Sequence, residues 1–137
     1  MPVADDRVLV SLREIEGVAM PHQEQIDAAL ELREEAMEYV ADVHGLAAFM
    51  GGRVESLGLR EDWAISKEIF PGVQVFFVFN HADGELHSQL KVLYSGDRTL
   101  MRGDDLASVT IVLVNHMLRF VKLSNAGKDL PEVCQKV

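Results

Sequence analysis

Five histidines, one cysteine and an excess of carboxylates, 22 Asp and Glu against 13 Lys and Arg, are the reactive side chains of this 137-residue chain. The densest polar cluster is Asn80-His81-Ala82-Asp83-Gly84-Glu85-Leu86-His87, which brings together imidazole and carboxylate, the ligand types of zinc and related metals. Spacing argues against a shared site. With Asp83-Gly84 as the loop of a hairpin, His81 shares the face of Phe77 and Phe79, while Glu85 and His87 share the face of Asn80, so the imidazoles point to opposite sides. No metal site is expected, and no residue pattern implies a cofactor. His116, beside Asn115 in an apolar stretch, reads as a partly buried, hydrogen-bonded histidine. Cys134 has no intramolecular disulfide partner and reads as an incidental thiol near a mobile end. The chain lacks a Gly-x-Gly-x-x-Gly or Walker loop, a Gly-x-Ser-x-Gly elbow and a helical Glu-x-x-His pair. These absences weigh against the common hydrolases, kinases and dehydrogenases, and leave enzyme chemistry by dispersed residues unassigned.

The elements that would position these groups are clearer. Val73, Val75, Phe77 and Phe79 alternate with Gln74, Phe76, Val78 and Asn80, and Leu90, Val92 and Tyr94 alternate with Gln89, Lys91 and Leu93, the period of strands. Asp83-Gly84 between them is a hairpin turn signal. That turn predicts Phe77 opposite Leu90, Val75 opposite Val92 and Val73 opposite Tyr94, whereas a one-residue slip would destroy the apolar face. A turn cluster at Ser95-Gly96-Asp97 leads through Thr99-Leu100-Met101, a short strand candidate, to a helix over 106–123 with Asp104 or Asp105 as N-cap. One stripe of that helix is Leu106, Val109, Leu113, Met117 and Phe120, and a second is Ala107, Ile111, Val114, Leu118 and Val121, so burial on two sides is expected, with Ser108, Val112, Asn115, Arg119 and Lys122 left for the third side.

Upstream, Arg7 to Leu12 alternates like a strand, and a helix carries Glu24, Asp27, Glu31, Glu34, Glu35, Glu38 and Asp42 along one side. Like charges at spacings of three and four oppose helix formation by roughly a few tenths of a kcal/mol per pair, so the opposite stripe of Ile26, Leu30, Met37 and Val40 must compensate by packing. The acidic side over 24–42 is either a solvated face or a docking ridge for a basic protein partner. His44-Gly45 reads as a helix end or kink, a second short helix is expected over 46–50, and Trp63 to Ile69 alternates as another strand. Formal charge of −9 excludes nucleic acid and anionic membrane as main partners, since both reward clustered cations. No apolar run approaches the roughly 20 residues of a bilayer span, and the start Met-Pro-Val-Ala-Asp-Asp lacks a signal-peptide pattern, so the expected compartment is the cytoplasm.

The order Ala82-Asp83-Gly84-Glu85, Leu90-Lys91-Val92-Leu93-Tyr94, Leu100 and Asp104-Asp105-Leu106-Ala107 resembles the C-terminal half of an uncharacterised prokaryotic family, a domain of unknown function common in anaerobes. The resemblance spans residues 70–123 and departs from the family pattern at His87, where proline is expected, and at Ser95, where aspartate is expected. It implies a hairpin followed by a capped helix and carries over no catalytic residue.

Together these readings predict one α+β domain over 1–137, an antiparallel sheet of four to five strands with helices on one face, and a flexible C-terminal tail from about residue 125. The expected function is a non-catalytic binding or interaction protein. Phe76 and Val78, on the far hairpin face, and Ile111, Val114 and Leu118, on the last helix, are the expected interaction surface, and burying them calls for a homodimer. The alternative is a small-molecule or cofactor-binding domain, with a pocket between sheet and last helix near Trp63, Tyr94 and His116.

Overall fold

The computed structural model describes residues 8–17 and 19–137. Arg7, the start of the expected N-terminal strand, and the leader reading over residues 1–6 lie outside the described residues. Four antiparallel strands, β1 (Arg53–Glu55), β2 (Trp63–Phe70), β3 (Val73–Asn80) and β4 (Gln89–Gly96), lie in chain order β1-β2-β3-β4. Among the described residues four α-helices, α1 (Leu12–Glu16), α2 (His22–Glu31), α3 (Val43–Met50) and α4 (Gly103–Ser124), accompany them. The class is α+β, with four strands in the sheet.

One sheet face carries Trp63, Ile65, Val73, Val75, Phe77, Phe79, Leu90, Val92 and Tyr94 into a core shared with the helices. The period-two alternation makes this face, and α4 closes it with Leu106, Leu113, Val114, Met117, Leu118 and Val121. Inside the core the Tyr94 hydroxyl is 2.6 Å from Thr110 Oγ1, which satisfies both buried groups. Burial pushes the Tyr94 phenol up to about 12 despite that bond.

The hairpin departs from the expected register by two residues. Phe79 faces Leu90, Phe77 faces Val92, Val75 faces Tyr94 and Val73 faces Gly96. The turn centre is Gly84-Glu85 inside an Asp83–Leu86 bridge, not Asp83-Gly84. Gly84 has φ 59 and occupies the first central position, where a type II′ turn requires glycine. Because the slip is even, every side chain keeps its face and the apolar surface survives.

Other elements are also corrected. Arg7 to Leu12 forms no strand among its described residues beyond a single bridge, Val10 to Tyr94. Ser11 instead starts α1 through a capping box with Glu14. The acidic helix over 24–42 is three pieces, because α2 stops at Glu31, Glu34–Tyr39 is a 3-10 helix, and Asp42 caps α3 by accepting from the Gly45 N–H at 2.8 Å. Thr99 and Leu100 lie in a 3-10 turn rather than a strand. Helix α4 begins at Gly103, so Asp104 and Asp105 stand in its first turn rather than at the cap, where Arg102 sits without a side-chain capping bond. They act there through the helix dipole. By length and composition α4 also passes the test for a membrane span, against the expectation that no segment would, since Ser108, Thr110 and Asn115 break its apolar run in sequence. A helix buried in a domain core passes that test too. The segment from 125 onward is docked rather than loose. Asn125 is buried with its amide on the Val121 carbonyl at 2.8 Å, and Cys134 is buried in a 3-10 helix (Glu132–Lys136) against α4.

Candidate functional site

Trp63, Tyr94 and His116 are not brought together. Tyr94 is sealed beneath α4, and His116 stacks on Phe49 of α3 with ring centroids 4.4 Å apart. Trp63 alone borders a cleft, of about 460 Å³, whose other walls include Asp42, His44, Glu55, Glu61 and Asp62.

The carboxylates of this cleft are tied to the fold. Asp42 caps α3, Glu55 accepts from the Ser66 hydroxyl at 2.5 Å, and Asp62 accepts from the His81 N–H at 2.6 Å. Glu61 gathers the Leu57 and Leu59 N–H groups; burial pushes its carboxyl up, but those backbone bonds outweigh it and hold it below its ordinary value. The resulting field attracts cations. The indole N–H of Trp63, 6 % exposed, has no hydrogen-bond partner among the described residues, which is costly for a buried donor.

The strongest polar constellation sits where the 3-10 helix meets the hairpin loop. Glu38 accepts from the Ala82 N–H and the Ser88 hydroxyl and contacts His81 Nδ1, each at 2.6 Å. One turn earlier, Glu34 accepts from the Leu90 N–H at 3.1 Å and lies 3.0 Å from His87 Nδ1. Burial pushes the Glu38 carboxyl up, but the bonds from Ser88, Ala82 and His81 outweigh it and leave it lowered. The Ser88 carbonyl, 2.7 Å from Nδ1, and then the Glu34 charge hold His87 above its ordinary value. Two histidines thus face two carboxylates, each pair separate, and no group of three metal-ligating residues exists among the described residues. Sequence reasoning saw Glu34 and Glu38 as part of a solvated or docking face. The only signal was their spacing of four on one helical side, and nothing in the sequence couples them to a loop more than forty residues away.

A third pair, Glu16 and His22, lies at the head of α4. His22 Nδ1 is 2.9 Å from both Glu16 oxygens. The Glu16 carboxylate fills the space where a Gly103 Cβ would stand, so an internal anion occupies the positive end of the longest helix. Cys134 is buried, and that burial raises its thiol above the ordinary value, against a smaller lowering by Lys122.

Of the expected interaction surface, Phe76 and Val78 are 0 % and 1 % exposed within the single chain. Val114 and Leu118 are buried in the core, and Ile111 is half-buried. The exposed apolar patch that called for a second copy is therefore absent at these residues. The third side of α4 faces out as expected: Val112 is 65 % exposed and, farther along, Leu123 70 %, flanked by half-buried Val109 and Phe120 and by Phe49. Compared with protein-family models, curated proteins and solved structures, the chain matches none.

Proposed function

We propose that this is a non-catalytic interaction protein that self-associates through the outward side of α4 and the adjoining Phe49 of α3. The observation that carries this reading is the exposure of Val112 and Leu123 on the longest helix, beside an aromatic group of Phe49, His116 and Phe120. Apolar side chains that line up on one helix side, with aromatic neighbours, have the composition of an interface centre. The remaining chemistry is committed to the fold, since the carboxylates of Glu16, Glu34 and Glu38 hold neighbouring elements. Val112→Glu is expected to shift sedimentation velocity toward monomer at micromolar concentrations while leaving thermal unfolding nearly unchanged. A wild-type protein that is strictly monomeric up to about 100 μM, well past typical weak association, sinks the reading.

A second reading, a small cationic ligand in the Trp63 cleft, is favoured by the unpartnered indole N–H beside an acidic lining. A fitting molecule carries a cation for the carboxylates and the indole face, and a hydrogen-bond acceptor. Trp63 is the only tryptophan, so its fluorescence reports this cleft directly. Titration with arginine methyl ester should give a saturable emission change that Glu61→Gln weakens, and a flat titration excludes this chemistry.

A further inference from the structure

Along the outward side of α4 run Asp105, Ser108, Val112, His116, Arg119 and Leu123. Steps of three and four keep these residues on one line of a helix, opposite the buried line of Leu106, Thr110, Leu113, Met117 and Val121. The order is self-complementary. Asp105 and Arg119 stand equally far from Val112, on its two sides, and so do Ser108 and His116. Arg119 makes no ion pair or hydrogen bond among the described residues, and Asp105 has only an exposed contact with Arg102 at 3.8 Å.

We propose that two copies pair their α4 helices antiparallel about a two-fold axis at Val112, with Asp105 of each copy against Arg119 of the other. This rests on the self-association reading and adds its partner, orientation and register. Turning one ridge end over end sets Val112 on its own counterpart, Ser108 against His116, and the acidic end against the basic end twice. The interface is isologous, as a closed dimer requires. Antiparallel helix dipoles and both charge pairs favour it, whereas parallel pairing would set Asp105 beside Asp105 and Arg119 beside Arg119. From Asp105 to Arg119 the ridge extends about 21 Å at 1.5 Å per residue. A single contact of that length is smaller than a standard permanent interface, so the dimer is a weak, reversible one. Phe49, stacked on His116, flanks the seam and adds aromatic area beside it.

Charge exchange tests the register. Asp105→Lys and Arg119→Glu, each alone, should weaken dimerisation by roughly tenfold, since each converts two exposed attractions into repulsions. An equimolar mixture of the two variants should recover association to within about threefold, because the mixed dimer restores both opposite-charge pairs. Both positions are exposed; Asp105→Lys loses a small helix-dipole contribution, and cooperative unfolding of both variants with the wild-type slope confirms that the fold is kept. Val112→Cys gives an independent readout. The chain's one native cysteine is fully buried, so mild oxidation should yield a disulfide-linked dimer through position 112 alone. If wild type dimerises but the mixture fails to recover, or Val112→Cys does not cross-link, the register is wrong and self-association stands. A strictly monomeric wild type overturns both.

Discussion

Glu38→Lys is expected to destabilise the protein by about 2–4 kcal/mol, a large share of the roughly 5–15 kcal/mol that holds a small domain. The carboxylate takes bonds from the Ala82 N–H, the Ser88 hydroxyl and the His81 ring. Ser88 is buried, so its hydroxyl loses its acceptor without gaining water, and an ammonium there repels His81 when the ring is protonated. Glu31→Lys is the control. Glu31 is exposed on the same acidic side, and its reversal should stay within about 0.5 kcal/mol. Urea denaturation of the two variants separates a clasp from a solvated face; equal, negligible effects would mean that Glu38 holds nothing. Amide exchange at Ala82 and Leu90 should accelerate in Glu38→Lys before global unfolding, because the loop opens first.

The same clasp has a pH signature. Glu38 is lowered from 4.5 in the folded state, so its contribution is full above that value and is lost as pH falls through the lowered pKa. His87 is raised from 6.5, so its contribution is full below that value and is lost as pH rises through the raised pKa. Loop protection should therefore be greatest between pH 4.5 and 6.5. Glu38→Gln should remove the acid limb of that profile and leave the His87 limb in place.

Gly96→Ala is the second large effect, expected to cost about 2–4 kcal/mol. Gly96 has φ 137, and a Cβ there would stand 2.0 Å from the Gly72 carbonyl oxygen and 3.0 Å from its carbon. Both neighbours are backbone, in the Pro71-Gly72 turn that joins β2 to β3, and Gly96 pairs with Val73 at the end of the β3–β4 ladder. Relief requires that end of the sheet to separate. Gly127→Ala isolates the conformational part, because Gly127 has φ 84 with nothing within 4 Å of the added carbon. That variant should lose only about 1 kcal/mol. If both alanine variants lose the same amount by chemical denaturation, the close approach of the Gly72 backbone contributes nothing.

The positions of β2, β3 and β4, the two-sided alternation over 73–80 and 89–94 and the existence of α4 were legible in the sequence, because each rests on a local period repeated several times; β1, three residues long, has no such period and was missed. The inward face of the hairpin was legible even with its register two residues off, since an even slip leaves every side chain on its own side. Register itself followed the turn type: an Asp83-Gly84 centre of type I′ needs positive φ at both residues, whereas of Asp83, Gly84 and Glu85 only Gly84 has it, which makes it the first central residue of a type II′ turn. The outward side of α4, with Ser108, Val112 and Arg119 exposed, was legible as what the two apolar stripes leave over; pattern left open only whether the second stripe meets the core or another copy, as the helix is apolar around most of its circumference. Packing against the sheet and α2 buried Val114 and Leu118 and left Val112 outside. The acidic run from Glu24 to Asp42 looked uniform, but tertiary structure divided it. Glu31 stays in solvent, Asp42 caps a helix, and Glu34 and Glu38 bind a loop 56 and 50 residues away at Leu90 and Ser88. A carboxylate's partner depends on which backbone donors the fold leaves unpaired near it, and that is settled only when distant segments meet.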